Sequence, residues 1–290
     1  MCRVSYLFSV LFMIAPAGAA IVYEGFDYGT GTLAGLNGGD GFSGTGGGAW
    51  VESSSGNPNI TVLSTSLGVG SLPTSGNRAG RTSNANRAQM NRAISNASRD
   101  ALTADNTTMW FSVIWSPGAA GTGSRSAFMF GNGAFGTSSG DPKTGADGFG
   151  FSPFTGSQTS TVHAAGWVSG DASDNPNTTA NTGITHAANE SYLFAGRIDW
   201  KPNGTPDEFY LFRITDPSAA EPGVGTALAS ITTLDFDQSA WNRIAVFENH
   251  AGDWDEIRFD TTFAGVMGIP EPSSLLLGGL GGLLLLRRRR

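Results

Sequence analysis

Apolar and polar residues alternate with a period of two through much of the chain, and the alternation locates the strands. Met109, Phe111, Val113 and Trp115 share one face of a segment, and Trp110, Ser112 and Ile114 share the other, so both faces are expected to be covered. Tyr192 to Trp200 directs Tyr192, Phe194, Ile198 and Trp200 inward and Arg197 and Asp199 outward. The turn chemistry of Lys201-Pro202-Asn203-Gly204-Thr205-Pro206 brings the chain back through Phe209 to Ile214 as a hairpin partner. Shorter strands are expected at Ile21 to Tyr28, Ala49 to Val51, Ile60 to Leu67, Ala127 to Phe130, Phe149 to Phe151, Ile244 to Phe247 and Asp255 to Phe259. Asn86 to Ala97 fits a helical face as well as a strand, and its β-like surroundings favour the strand. Roughly ten to thirteen short strands, with no convincing helix, predict an all-β fold, an antiparallel β-sandwich. No internal repeat or composition break divides it.

Both ends depart from this pattern. Arg3 precedes an apolar stretch from Val4 to Ile14 and then Ala15-Pro16-Ala17-Gly18-Ala19-Ala20. A basic start, an apolar run and small residues make a signal peptide, 1–20, cut beside Ala19 and Ala20 and exported by the Sec machinery. The single cysteine, Cys2, leaves with it, so the mature chain has neither thiol nor disulfide. At the other end, Pro270-Glu271-Pro272 leads into a charge-free run and then Arg287, Arg288, Arg289 and Arg290. Leu275 to Leu286, as a helix at about 1.5 Å per residue, would span roughly 18 Å, short of the ~30 Å hydrocarbon core. Four glycines weaken it further, so the short transmembrane segment at 273–286 suits transient anchoring with the arginines on the cytoplasmic side. The prolines keep the approach extended, as a protease would require.

This order of blocks over 269–290 resembles the PEP-CTERM sorting signal of Gram-negative bacteria. The resemblance implies recognition of Pro270, Glu271 and Pro272 and cutting by a membrane exosortase. A second resemblance covers most of 21–268. Tyr23-Glu24-Gly25-Phe26-Asp27-Tyr28, Gly35-Leu36-Asn37-Gly38-Gly39, Tyr192 to Trp200 and Trp254-Asp255-Glu256-Ile257-Arg258-Phe259 look like concanavalin A-like (laminin-G-like) jelly-roll domains attached to such tails. That implies a jelly roll of the lectin/glucanase type, associated with exopolysaccharide or biofilm matrix. None of these segments is a catalytic motif.

Composition narrows the partners. Without the two ends, 12 basic residues stand against 24 acidic ones, so the exported body is near −12, or −11 if Glu271 goes with the tail. That charge repels nucleic acid. Seven tryptophans and 18 phenylalanines argue for a packed core over disorder.

A glycosidase needs two carboxylates across a cleft, and Asp253-x-Asp255-Glu256-x-Arg258-x-Asp260 is the nearest match. Strict alternation turns Asp255 toward the core and sets Glu256, Arg258 and Asp260 together in solvent, where Arg258 would keep Glu256 ionised and useless as an acid. No catalytic residue is therefore assigned. Asp171 and Asp174, with Asp141 and Asp147, lie in oxygen-rich loops of the kind calcium uses, although the same loops are ordinary turn sequence. His163, His186 and His250 lack zinc spacing. Trp167, with Asn175 and Asn177 downstream, is the best candidate for contact with a glycan. The expectation is a non-enzymatic envelope or matrix protein that needs no cofactor. The alternatives are a carbohydrate-binding module and, third, a glycoside hydrolase.

Overall fold

The computed structural model describes residues 20–43, 48–52, 60–81, 88–118, 126–132, 147–155, 157–167, 178–248 and 252–269. In chain order the elements are β1 (Val22–Glu24), β2 (Gly31–Thr32), β3 (Val51–Glu52), β4 (Thr61–Leu63), β5 (Arg78–Gly80) and β6 (Ala88–Ala93). Then come α1 (Asn96–Leu102), β7 (Thr108–Pro117), β8 (Ser126–Gly131), β9 (Gly148–Thr155), β10 (Ser157–Trp167) and β11 (Thr178–Thr185). The last are β12 (Tyr192–Asp199), β13 (Asp207–Ile214), β14 (Ala229–Leu234), β15 (Arg243–Glu248), β16 (Gly252–Asp260) and α2 (Phe263–Val266).

Two antiparallel sheets face one another. One has the order β14-β13-β12-β7-β16-β5-β4-β2, with β1 also paired to β16; the other has the order β11-β10-β9-β8-β15-β6-β3. Their facing sides form one aromatic core. Phe111, Trp115, Phe194 and Trp254 come from the nine-stranded sheet, and Phe128, Phe130, Phe149 and Phe151 from the seven-stranded one. Phe151 and Phe194 meet across the interface at 4.7 Å between ring centroids, and Phe111 and Phe130 at 5.3 Å. Each such pair contributes about 0.5–1.5 kcal/mol beyond its buried area. Gly196 pairs with Phe111 across β12 and β7, and a Cβ there would stand 2.0 Å from the Phe111 ring, so the ring occupies the space a side chain would need.

The alternation expected for β7 and β12 is observed. Met109, Phe111, Val113, Trp115, Tyr192, Phe194 and Ile198 line the inter-sheet core. Trp110, Ile114, Leu193, Ala195 and Phe212 face outward under Phe263, Val266, Met267 and Leu72, so β7 is indeed covered on both sides. Two expectations fall. The described residues contain sixteen strands rather than ten to thirteen, because two- and three-residue strands are too short to show a period. The stretch from Asn86 holds a strand, β6, and then a helix, α1. Ser95 ends the alternation by accepting the Ser98 backbone N–H at 3.0 Å, an N-cap that starts the helix at Asn96.

One arginine clamps the start of the chain. Arg92, on β6, is fully buried and forms an ion pair with Glu24. Glu24 also accepts from Phe26 N (2.8 Å), the Tyr28 hydroxyl (2.9 Å) and Trp50 Nε1 (3.0 Å). Arg92 donates in addition to Asn37 Oδ1 (2.9 Å) and Gly38 O, and its guanidinium lies 3.6 Å from the Phe42 ring centroid. The opening segments Tyr23 to Tyr28 and Gly35 to Gly39 are thus the two halves of an arginine socket.

Candidate functional site

The acidic strand β16 departs from strict alternation. Its register against β7 slips between Asp255 and Arg258, and Glu256 adopts φ +52°, a β-bulge that adds one residue to β16. Trp254, Ile257 and Phe259 point into the core, while Asp255, Glu256 and Arg258 all meet the segment that covers the outer face. Asp255 is therefore buried, but not in the inter-sheet core as alternation required. It accepts from Ser66 Oγ (2.6 Å) and Leu67 N (2.7 Å). Glu256 is not in solvent. It is fully buried and accepts from Ser75 N (2.7 Å), Arg258 (2.6 Å) and the Tyr23 hydroxyl (3.3 Å). Asp260 pairs with neither: it accepts from Thr262 N (2.9 Å) and starts the turn into α2.

Burial therefore outweighs the guanidinium. It raises the Glu256 carboxyl above its usual range despite Arg258, and it pushes Asp255 up to about 8 despite three donors. Asp255, Glu256 and Arg258 each hold a residue of the 64–77 segment (Ser66 and Leu67, Ser75, and Pro73), so the strand works as a clamp on it. Arg78 adds to it by binding Thr65 O at 2.7 Å and Asp253 at 2.7 Å.

A carboxyl that the sequence did not single out lies at the end of β15. Glu248 is fully buried beside Trp115 and receives one hydrogen bond among the described residues, from Ser126 Oγ (2.8 Å). Its Oε1 has no partner, nor do Trp115 Nε1, Trp254 Nε1 and His186 Nε2. Trp115 is the hub, with ring centroids 6.1 Å from Trp254 and 5.1 Å from His186. Burial drives Glu248 well above the usual carboxyl range, and nearby Asp253 adds to the shift. Burial likewise lowers His186, so both groups are shifted toward their neutral forms. The Trp115 indole lies near enough to offset part of the Glu248 shift without reaching hydrogen-bond geometry. In sequence, Glu248 reads as the polar end of an alternating strand; only the neighbouring sheet encloses it.

An open cavity of about 290 Å³ lies between the end of α1, the β12–β13 turn and residues 237–239. Asp100, Asp105, Asn203, Asp237 and Gln238 line it. Gln238 donates through Nε2 to Asp105 Oδ1 (2.7 Å) and Lys201 O (3.1 Å). Both partners can only accept, which fixes the amide orientation and leaves Oε1 unpaired. Asp237 is held below its usual range by the Ser239 hydroxyl. The lining is rich in acceptors, which suits a ligand that presents hydroxyl groups.

Of the other residues singled out from sequence, Trp167 ends β10 on the outer face of the seven-stranded sheet with Met129 and Phe247. It is only 3% exposed and its Nε1 is unpaired, so it offers no open stacking platform. Asp171, Asp174, Asn175 and Asn177 lie outside the described residues, as do Ala19 and the segment from Pro270 to Arg290; Ala20 is buried at the start of the body. Among the described residues, no group of three His, Cys, Asp or Glu side chains can hold a metal ion. No helix among them is long and apolar enough to cross a membrane.

Comparison with known proteins resolves the C-terminus. Residues 268–290 match the PEP-CTERM protein-sorting motif. The tail is a PEP-CTERM sorting signal. It marks an exported protein with a C-terminal anchoring and processing segment. No curated protein matches the chain by sequence. Among solved structures, the body is similar to the marine alginate lyase from Aplysia kurodai (TM-score 0.42, 9% identity, 67% of this chain and 86% of that one). It is also similar to the exoplasmic/lumenal domain of VIP36 in its Ca2+/Man3GlcNAc-bound form (TM-score 0.40, 8% identity, 73% and 86%). A third is the CBM2 module of the evolved Dit of Lactobacillus casei BL23 phage J-1 (TM-score 0.36, 11% identity, 67% and 80%).

Proposed function

We propose that this is a cell-envelope or extracellular-matrix protein, exported by the Sec route, processed by an exosortase and associated with exopolysaccharide through a non-enzymatic sandwich. One observation carries the reading: a sorting motif over 268–290 follows directly on a folded β-sandwich. The sequence supports it with a signal peptide at the other end and a body whose charge repels nucleic acid. The acidic strand supports it too, because Asp255 and Glu256 are committed to holding residues 64–77. Intact-mass analysis of the mature protein from the cells that make it tests this reading. The expected mass lacks both 1–20 and the arginine cluster; a mass that retains Arg290 overturns it.

The acceptor-lined cavity favours a second reading, a carbohydrate-binding module. On a glycan array the protein is then expected to bind hydroxyl-rich saccharides, and Asp237→Ala should weaken that binding about tenfold, the worth of one hydrogen bond to a charged group. Equal binding by Asp237→Ala places the contact elsewhere.

A further inference from the structure

The sorting motif begins inside the folded body. Its first two residues, Gly268 and Ile269, close α2. Ile269 N donates to Ala264 O (3.0 Å), and Gly268 N donates to Gly265 O (3.1 Å). Gly268 has φ +61°, so the three features together form a Schellman cap. The positive φ favours glycine here, and a Cβ on Gly268 would stand 2.6 Å from Arg258 Nη1, which would have to shift.

This end is fastened to the nine-stranded sheet by more than its cap. Phe263, Val266 and Met267 are buried against Trp110, Ile114 and Phe212, and Ile269 packs on the same cluster. Phe263 meets the Trp110 ring edge-on at 5.1 Å, and Val266 O accepts from Ser112 Oγ at 2.8 Å. At the other side, Thr262 caps α2 by accepting from Gly265 N at 3.0 Å.

Only Pro270 to Ser274 separate Ile269 from the apolar run at Leu275. At no more than about 3.6 Å each, five residues reach under about 20 Å, and the headgroup layer takes several of those ångströms. On the sorting reading, with the apolar run in the bilayer, a packed Phe263–Ile269 segment leaves the sandwich no more than that length of chain from the membrane. Release of that segment adds seven residues, up to about 25 Å of tether, without unfolding a strand.

The geometry points to Phe263–Ile269 as a latch whose opening limits cleavage of the sorting motif: the folded body shields its own processing site until the latch lets go. The latch is a positioning element and takes no part in the bond cleavage. This rests on the exosortase reading above and concerns the rate of processing, whereas that reading concerns whether processing occurs.

The experiment follows conversion of the full chain to its mature mass by pulse–chase in the cells that make it. A flexible Gly/Ser linker of about ten residues, inserted between Ile269 and Pro270, leaves the latch and body unaltered but lengthens the tether. It is expected to speed conversion at least about tenfold, since burying even one large apolar side chain of the latch is worth that factor. Gly268→Val, which breaks the cap, should also speed conversion, and near-ultraviolet circular dichroism should show the sandwich intact. If the wild type is converted and neither variant is faster, the latch inference is overturned while the sorting reading stands. If the wild type itself keeps Arg290, the sorting reading fails and the latch falls with it.

Discussion

Glu24 and Glu248 are both completely buried glutamates at strand ends, and the protein surrounds them with opposite kinds of groups. Glu24 receives a guanidinium, an indole N–H, a phenol and a backbone N–H. Glu248 receives one serine hydroxyl and lies near the Trp115 indole, whose N–H stays unpaired. The first is set against a guanidinium. Among the described residues the second has no ion-paired partner for its carboxyl oxygens, and burial drives its pKa well above the usual carboxyl range. Burial alone therefore does not decide what a carboxyl does; the number and charge of the groups that face it do. Arg81 shows the same point: it is close enough to Glu248 to act on it, yet its Nη1 donates to the Glu248 backbone carbonyl.

The largest test removes the counter-ion. Arg92→Met should cost about 3–5 kcal/mol in denaturant unfolding, because Glu24 is then buried without its partner. Adding Glu24→Leu should recover much of that loss. A double variant as unstable as the single would mean that the socket stabilises through its shape rather than its charge.

Next comes the proton on Glu248. A carboxyl whose folded value lies above its unfolded value contributes stability that is complete below the ordinary glutamate range and is lost as pH rises toward the folded value. Glu248→Gln keeps the shape and removes this linkage. The two proteins should be within about 1 kcal/mol of each other at pH 4.5. The wild type should then fall progressively behind as pH rises toward 8, by up to about 1.4 kcal/mol per pH unit. Asp255, at about 8, contributes a parallel loss in both proteins. Melting curves of the two proteins that stay parallel from pH 4.5 to 8 would place an ionised Glu248 in the fold.

The smallest effect concerns Glu256. Because it is buried and binds Arg258, Ser75 and Tyr23, Glu256→Gln should cost about 1–2 kcal/mol, more than an exposed ion pair on a solvent face would. A loss under about 0.5 kcal/mol would show that the covering segment contributes little. Any polysaccharide-directed activity should survive the substitution; its disappearance in a folded Glu256→Gln protein would make this strand catalytic.

The family-like segments of the sequence turn out to be the parts that hold the fold shut. Glu24, Tyr28, Asn37 and Gly38 surround Arg92, and Asp255, Glu256 and Arg258 hold residues 64–77. Their role here is architectural, and it involves no ligand. The open cavity was not legible, since its lining residues come from α1, a hairpin turn and a short 3-10 helix, each an ordinary polar stretch when read alone.

The sequence by itself determined the two-sided burial of β7, the inward and outward residues of β12, the hairpin to β13 and the sorting tail. In each case the information is local: a period of two, a Pro/Gly turn, or three unlike blocks in order. Tertiary structure alone decided the side on which Asp255 lies, whether Glu256 meets water, and which buried glutamate faces a guanidinium. A single bulge residue reverses the facing of a strand without altering its composition. A carboxyl's charge state, in turn, depends on groups brought to it from up to more than a hundred residues away, as Ser126 is to Glu248.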